Sequence, residues 1–133
     1  MTTVVNGWET KDSGERQSFD TGAVRDIQEG KPRYDLIPTF ALERVAGLYG
    51  RGAEKYGDNN WQKGIPFSRC LASLERHLHQ FKQGKTDEDH LAAVVWNALA
   101  IMHYQEVGFD ELNDMPNYEL YVTGYPPETI ESH

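Results

Sequence analysis

Residues 91–104 read LAAVVWNALAIMHY, and this stretch decides the fold. It is apolar nearly all the way round a helix, with Gly108 placed to end it, so it belongs at the centre of a bundle or at a subunit interface. Its one polar line runs through His90, Ala93, Asn97, Ile101 and Tyr104. Upstream, Thr86 is expected to cap this helix, with Asp87, Glu88 and Asp89 in its first turn, where acids suit the helix dipole.

Two more helices are legible before it. Phe67, Cys70, Leu71, Leu74, Leu78 and Phe81 recur at helical spacing, predicting a helix from about 66 to 83 that Gly84 stops. A second stripe on that helix holds Ser68, Ala72, Glu75, His79 and Lys82, and His77 falls on a different face. Leu42, Val45 and Tyr49 predict a first helix over about 38–53. Glu43, Gly47, Gly50 and Glu54 share another of its faces, since eleven residues is about three turns. A turn at 57–60 separates the two helices.

The expected fold is therefore all-α: a small helical bundle over residues 31–108. It is flanked by a polar N-terminal arm, 1–30, with at most short β pieces near Thr3–Val5, and by a C-terminal arm, 109–133. Hydrophobic residues are 38% of the 133, which favours completing the core by oligomerisation.

Composition narrows the function. The formal net charge is −8, from 21 acids against 13 Lys and Arg, so a general nucleic-acid-binding face is not expected. No run reaches the roughly 18–20 apolar residues of a membrane span, and the N-terminus lacks a signal-peptide pattern. A single cysteine, Cys70, sits in an apolar stripe and reads as a buried, inert thiol. These features point to a soluble, cytoplasmic protein with neither nucleic acid nor membrane as partner. A GxxxxGK loop, a GxGxxG after a strand and a nucleophile elbow are all missing.

The polar inventory suggests a bound anion with a metal between it and the protein. Glu54, Glu75 and Asp89 lead as ligands for a hard divalent cation, with Glu43 behind them; the plain alternative is solvated acids, and for Asp89 a cap. His90 is a candidate to bind phosphate, to orient a carboxylate or to serve as base, and His79, on the stripe of Glu75, is a candidate to bind substrate. Asn97, if buried, either bonds locally or reads a ligand. Lys31, Arg33, Lys55 and Arg76 are cations able to meet phosphates, with ordinary salt bridges as the alternative, and Tyr34 and Trp61 either stack on a nucleobase or fill core at helix joins.

Four blocks in order, KPRYDLIP (31–38), GAEKYGDNNW (52–61), ASLERHLHQFKQG (72–84) and EDHLAAVVWNALA (88–100), resemble the phage-encoded branch of the MazG-like all-α nucleoside triphosphate pyrophosphohydrolases. The resemblance covers about residues 30–107. It implies cleavage of a (d)NTP between the α and β phosphates, Mg²⁺ or Mn²⁺ held by acids on bundle helices, and a dimer or tetramer with sites near subunit interfaces. The phage branch further implies dGTP, and GTP, as substrate, with the monophosphate feeding 2-aminoadenine nucleotide synthesis.

The chain departs from the superfamily's paired-acid motif. Three residues after Glu75 stands Leu78 and four after it His79, while Glu88-x-x-Leu91 and His90-x-x-Ala93 lack the terminal Asp. The metal shell the resemblance implies must then be rebuilt from Glu54, Glu75, Asp89 and Glu43, with Glu54 or Glu75 as base for the attacking water. Two rival classes stand beside it. One is a non-catalytic helical phage protein acting on a host enzyme. The other is a histidine-based phosphohydrolase, which the sequence supports poorly for want of an adjacent His-Asp step.

Overall fold

The structure, a computed structural model, describes residues 2–5 and 7–119. The chain divides into two compact units, Met1–Ile37 and Pro38–His133.

The first unit is more ordered than the expected arm. It holds two antiparallel hairpins: β1 (Thr2–Val5) pairs with β2 (Trp8–Lys11), and β3 (Arg16–Ser18) with β4 (Val24–Asp26). Strands of three or four residues leave no detectable period, and polar side chains rather than buried apolar ones hold the unit together. Asp12 takes both Arg16 amino groups at 2.7 Å, and Asp26 accepts from the Ser13 amide and hydroxyl and from Lys31. These partners hold the Asp26 carboxyl well below the usual carboxylate range, the Ser13 hydroxyl contributing most.

The second unit is the expected small all-α domain. α1 spans Thr39–Tyr56, α2 Phe67–Lys82 and α3 His90–Glu106. α3 packs against both α1 and α2, which is why its sequence has no single polar face. Its buried line is His90, Ala93, Asn97, Ala100 and Tyr104; small residues there let the neighbouring helices approach closely. Val95, Leu99 and Met102, spaced four and three apart on its outer side, are exposed.

The core gathers Phe67 and Cys70 of α2 with Ala100 and Tyr104 of α3, wrapped by Trp61, Ile65, Trp96, Ile101, Phe109 and Leu112. The Tyr104 hydroxyl is satisfied by donating to the Trp61 carbonyl at 2.6 Å, and burial pushes its phenol up to about 12. Burial likewise raises the Cys70 thiol, the environment of an inert cysteine.

Turn chemistry sets the helix ends. After α2, Gly84 adopts φ +79°; its N–H reaches the Phe81 carbonyl and the Lys85 N–H the Gln80 carbonyl, a Schellman stop. Thr86 does not cap α3, contrary to the reading above. Asp89 does, accepting from the Ala92 N–H at 3.2 Å, because Asp87 and Glu88 lie in the connection and only Asp89 stands one position before the first helical residue.

Beyond α3, the chain makes a short 3-10 turn at Asp110–Leu112 and returns to the start of α2. Asp114 accepts from the Ser68 amide at 2.9 Å and the Ser68 hydroxyl at 2.5 Å, capping α2 from 46 residues away. Leu112 lies over Gly64, whose φ is +103° and where an added Cβ would meet the Leu112 Cδ1 at 2.9 Å. Residues 120–133 of the expected C-terminal arm lie outside the described residues. Among the described residues, no helix is long and apolar enough to cross a membrane.

Candidate active site

A cleft of about 1350 Å³ opens between α1, the loop that follows it, α2 and α3. α1 contributes Arg44, Tyr49, Gly50, Arg51, Gly52 and Lys55. An added Cβ at Gly50 or Gly52 would meet nothing within 4 Å, so the backbone there borders open space. The α2–α3 connection contributes Lys85 to Asp89, and the helices themselves add Ser73, His77, His90, Trp96 and Asn97. Cations and carboxylates thus converge on one concavity, as a site for a polyanion with its counter-ions requires.

Its aromatic side is interlocked. Tyr49 meets Trp61 edge-on at 6.1 Å and Trp96 at 5.8 Å, and Trp61 meets His103 edge-on at 4.8 Å. The polar side is built around the start of α3. Arg44 reaches across from α1 and grips Asp89 with both arms of its guanidinium, at 2.9 and 2.5 Å. That pairing lowers the Asp89 carboxyl to about 2. His90, 2% exposed, lies with its Nδ1 2.9 Å from the His77 Nδ1 and its Nε2 2.9 Å from an Asp87 carboxylate oxygen. The bond to His90 is the first reason the Asp87 carboxyl is lowered. Glu88 completes the group: one donor atom each of His77, Glu88 and His90 lie within 4.8 Å of one another.

The residues singled out in the sequence separate into four places. Lys55, Trp61, Asp89, His90 and Asn97 line the cleft. Asn97 gives its amide N–H groups to the Ala93 carbonyl at 2.8 Å and the Ser73 hydroxyl at 3.3 Å, so that end of the amide is held inside the bundle. Glu75, Arg76 and His79 line a separate shallow groove on α2 with Ala72, Gln80, Gln83 and Lys85. Helical spacing explains this: His77 faces α3 and the cleft, and Glu75 and His79 therefore do not. Glu43 and Glu54 are exposed on α1 and are not among the residues bordering the cleft. Lys31, Arg33 and Tyr34 belong to the first unit, where Lys31 pairs with Asp26 and Arg33 with Asp35, and Tyr34 is exposed.

Sequence reasoning missed Arg44, Arg51, Tyr49, Trp96 and the joint role of His77 with Asp87 and Glu88. The run DEDH at 87–90 was the available signal, but pairing it with His77 needs the angle between α2 and α3.

The sequence profile of the dATP/dGTP diphosphohydrolase N-terminal domain matches residues 21–113, which is most of the chain and includes every element that lines the cleft. The chain belongs to the dATP/dGTP diphosphohydrolase N-terminal family. A dATP/dGTP diphosphohydrolase of Salmonella phage PMBT28 is 32% identical over 63 residues, 47% of this chain. The match spans only 21% of that relative's length. No solved structure matches the chain.

Proposed function

We propose that the cleft binds a purine deoxynucleoside triphosphate and that the protein hydrolyses it to the monophosphate and pyrophosphate. One observation carries this reading: three cations of α1, Arg44, Arg51 and Lys55, border the same concavity as three aromatic rings and the Asp87–His90 cluster. Lys55 and Arg51 supply charge for a triphosphate, and Arg44, already committed to Asp89, fixes the start of α3 beside it. Trp61, with Tyr49 and Trp96 behind it, offers a flat surface on which a base stacks.

A divalent ion suits this donor set. Glu88 presents a carboxylate oxygen and His77 and His90 ring nitrogens, a mixture that fits Mn²⁺ better than an all-oxygen Mg²⁺ shell. Such an ion would neutralise phosphate charge and lower the pKa of a bound water. Around it, the chain's own groups orient the substrate: Arg51 and Lys55 steady the leaving pyrophosphate. Glu54 and Glu75, the bases favoured by sequence, do not border the cleft of this chain and would need a second subunit to bring them to it.

The finer reading is a MazG-like dGTP pyrophosphohydrolase, acting also on GTP, in the host cytoplasm, assembled as a dimer or tetramer and supplying monophosphate for 2-aminoadenine nucleotide synthesis. The family name supports dATP and dGTP together, and the exposed Val95–Leu99–Met102 stripe supports self-association.

The test is product analysis by anion exchange for the eight common NTPs and dNTPs with Mg²⁺ or Mn²⁺ and a chelator control. Monophosphate with pyrophosphate, strongest for dGTP, is the expected result. Diphosphate with orthophosphate would overturn the cleavage position, and no turnover of any nucleotide would overturn the enzyme reading.

A further inference from the structure

We infer that His77, His90 and Glu88 form a binding site for one six-coordinate transition-metal ion, with Asp87 as the residue that orients His90. The inference deepens the proposed function by naming the ion class of the same cleft, but its test does not depend on turnover.

Three features carry it. First, the donors converge from two helices and the connection between them: His77 from α2, Glu88 from the loop and His90 from the first position of α3, all within 4.8 Å. Second, His90 is buried, yet its two ring nitrogens are spent in different ways. Nε2 faces the Asp87 carboxylate at 2.9 Å, and Nδ1 faces His77. A carboxylate on the far nitrogen is the arrangement that fixes the tautomer of a metal-ligating histidine and directs the lone pair of the other nitrogen to the ion. With Asp87 holding the Nε2 proton, the His90 Nδ1 carries that lone pair.

Third, the donor set points to a geometry. The two Nδ1 atoms, 2.9 Å apart, stand at hydrogen-bond distance in the metal-free chain and are near enough to meet one ion. Two histidines and one carboxylate are the facial set of six-coordinate ions with open positions, whereas a structural zinc shell closes with four protein ligands. Two imidazoles and one carboxylate leave three corners for water or phosphate oxygens, the pattern of an open site rather than a structural one. In the metal-free chain the same two nitrogens share one proton in an N–H···N hydrogen bond. On binding, His77 shifts its proton to Nε2, so both Nδ1 lone pairs turn to the ion with no net proton lost.

In the sequence only the run DEDH at 87–90 hints at such a set, since His77 stands 13 residues before His90. It comes from the α2–α3 hairpin, which the Gly84 stop closes just before the Asp87–Asp89 run.

The experiment uses the full chain after treatment with chelator. Co²⁺, Mn²⁺ and Mg²⁺ are titrated separately by calorimetry, and the visible spectrum of the Co²⁺ form is recorded. Expected are one Co²⁺ per chain, weak absorption bands of a six-coordinate ion, and no displacement by an equal concentration of Mg²⁺. His77→Ala and Glu88→Gln should each weaken Co²⁺ binding at least about tenfold, and Asp87→Asn about ten- to a hundredfold. Glu106→Gln, at the far end of α3, should leave it unchanged. Glu88 is exposed, so its variant reads the site even if loss of His77 disturbs the fold, which circular dichroism checks.

Failure of the folded chain to take up Co²⁺, intense tetrahedral bands, or binding indifferent to both His77→Ala and Glu88→Gln would each overturn the site and leave a hydrogen-bonded imidazole pair only. Hydrolysis is scored apart. Turnover with Mg²⁺ and no Co²⁺ uptake would sink this site while sparing the hydrolase reading; Co²⁺ uptake without turnover would do the reverse.

Discussion

Replacing Asp89 by Asn tests the junction between α1 and α3. The substitution keeps an N-cap of similar quality, because Asn also accepts from the Ala92 N–H, and removes only the charge that Arg44 holds. The Asp89 carboxyl is lowered from 3.8 to about 2, chiefly by the Arg44 hydrogen bonds, partly opposed by desolvation. Taken whole, that difference corresponds to about 2.5 kcal/mol. Arg44 is 58% exposed and Asp89 21%, so solvent screens the pair, and about 1 kcal/mol is the expected contribution at pH 7.

The pH dependence has a fixed sign. The folded carboxyl is depressed below its unfolded value. Its contribution is therefore complete above about pH 4, declines as pH falls and is lost on passing through about pH 2. Urea denaturation of wild type and Asp89→Asn at pH 7, 5, 3.5 and 2.5 reads this directly. The gap should be about 1 kcal/mol at pH 7 and 5 and should shrink toward zero at pH 2.5. A gap that stays constant across the series, or that widens in acid, would refute the assignment of Asp89's stabilising role to its charge.

Four further outcomes are expected. Tyr104→Phe removes a bond from the Trp61 carbonyl, which keeps a second donor in the Gly64 N–H at 3.1 Å, so the cost is about 1 kcal/mol; Tm should fall by about 4–8 °C in a thermal melt. Gly64→Ala must strain a φ of +103° and displace Leu112, costing about 2–4 kcal/mol by denaturation, and adding Leu112→Ala should recover part of that loss in a double-mutant cycle. The Cys70 thiol, 1% exposed, should react with a thiol reagent only at the rate of unfolding and become fast in denaturant. Lys55→Met should raise KM for the preferred triphosphate about tenfold or more in steady-state assays, with the melting curve unchanged.

α1 and α2 were legible because each repeats apolar residues at helical spacing, α3 because a long run is apolar nearly all round, and Gly84 announced the end of α2 through a conformation other residues resist. Of the first unit, the short β piece at Thr3–Val5 was legible and falls within β1, whereas the remaining strands, such as Arg16–Ser18, are too short to show alternation. The α3 cap was misplaced because three of the four residues from Thr86 to Asp89, namely Thr86, Asp87 and Asp89, are good caps and only the start of the backbone helix separates them. Of the candidate site, the singled-out residues that line the cleft came from the last turn of α1, from the loops and from α3, where burial of a polar group such as His90 or Asn97 is itself a signal. Glu75 and His79 were attractive because they share a stripe, but a shared stripe does not say which neighbour it faces. The partners that close the site, Arg44 with Asp89 and His77 with His90, join different helices, and no one-dimensional period encodes such pairs.

The clasp of Asp114 on Ser68 and of Leu112 on Gly64 sets an order of events during synthesis. α2 emerges early with the Ser68 N–H unmet, and the carboxylate that answers it arrives only after the rest of α2, the connection and all of α3. Closing so long a loop carries an entropic cost before it returns any bond, and non-local closures of this kind slow folding. A nascent chain halted at the end of α3 would hold all three helices and still lack the clasp, leaving α2 frayed at its beginning and the wall that includes Trp61 unsupported. Completion of the cleft would then coincide with release of residue 114 from the ribosome.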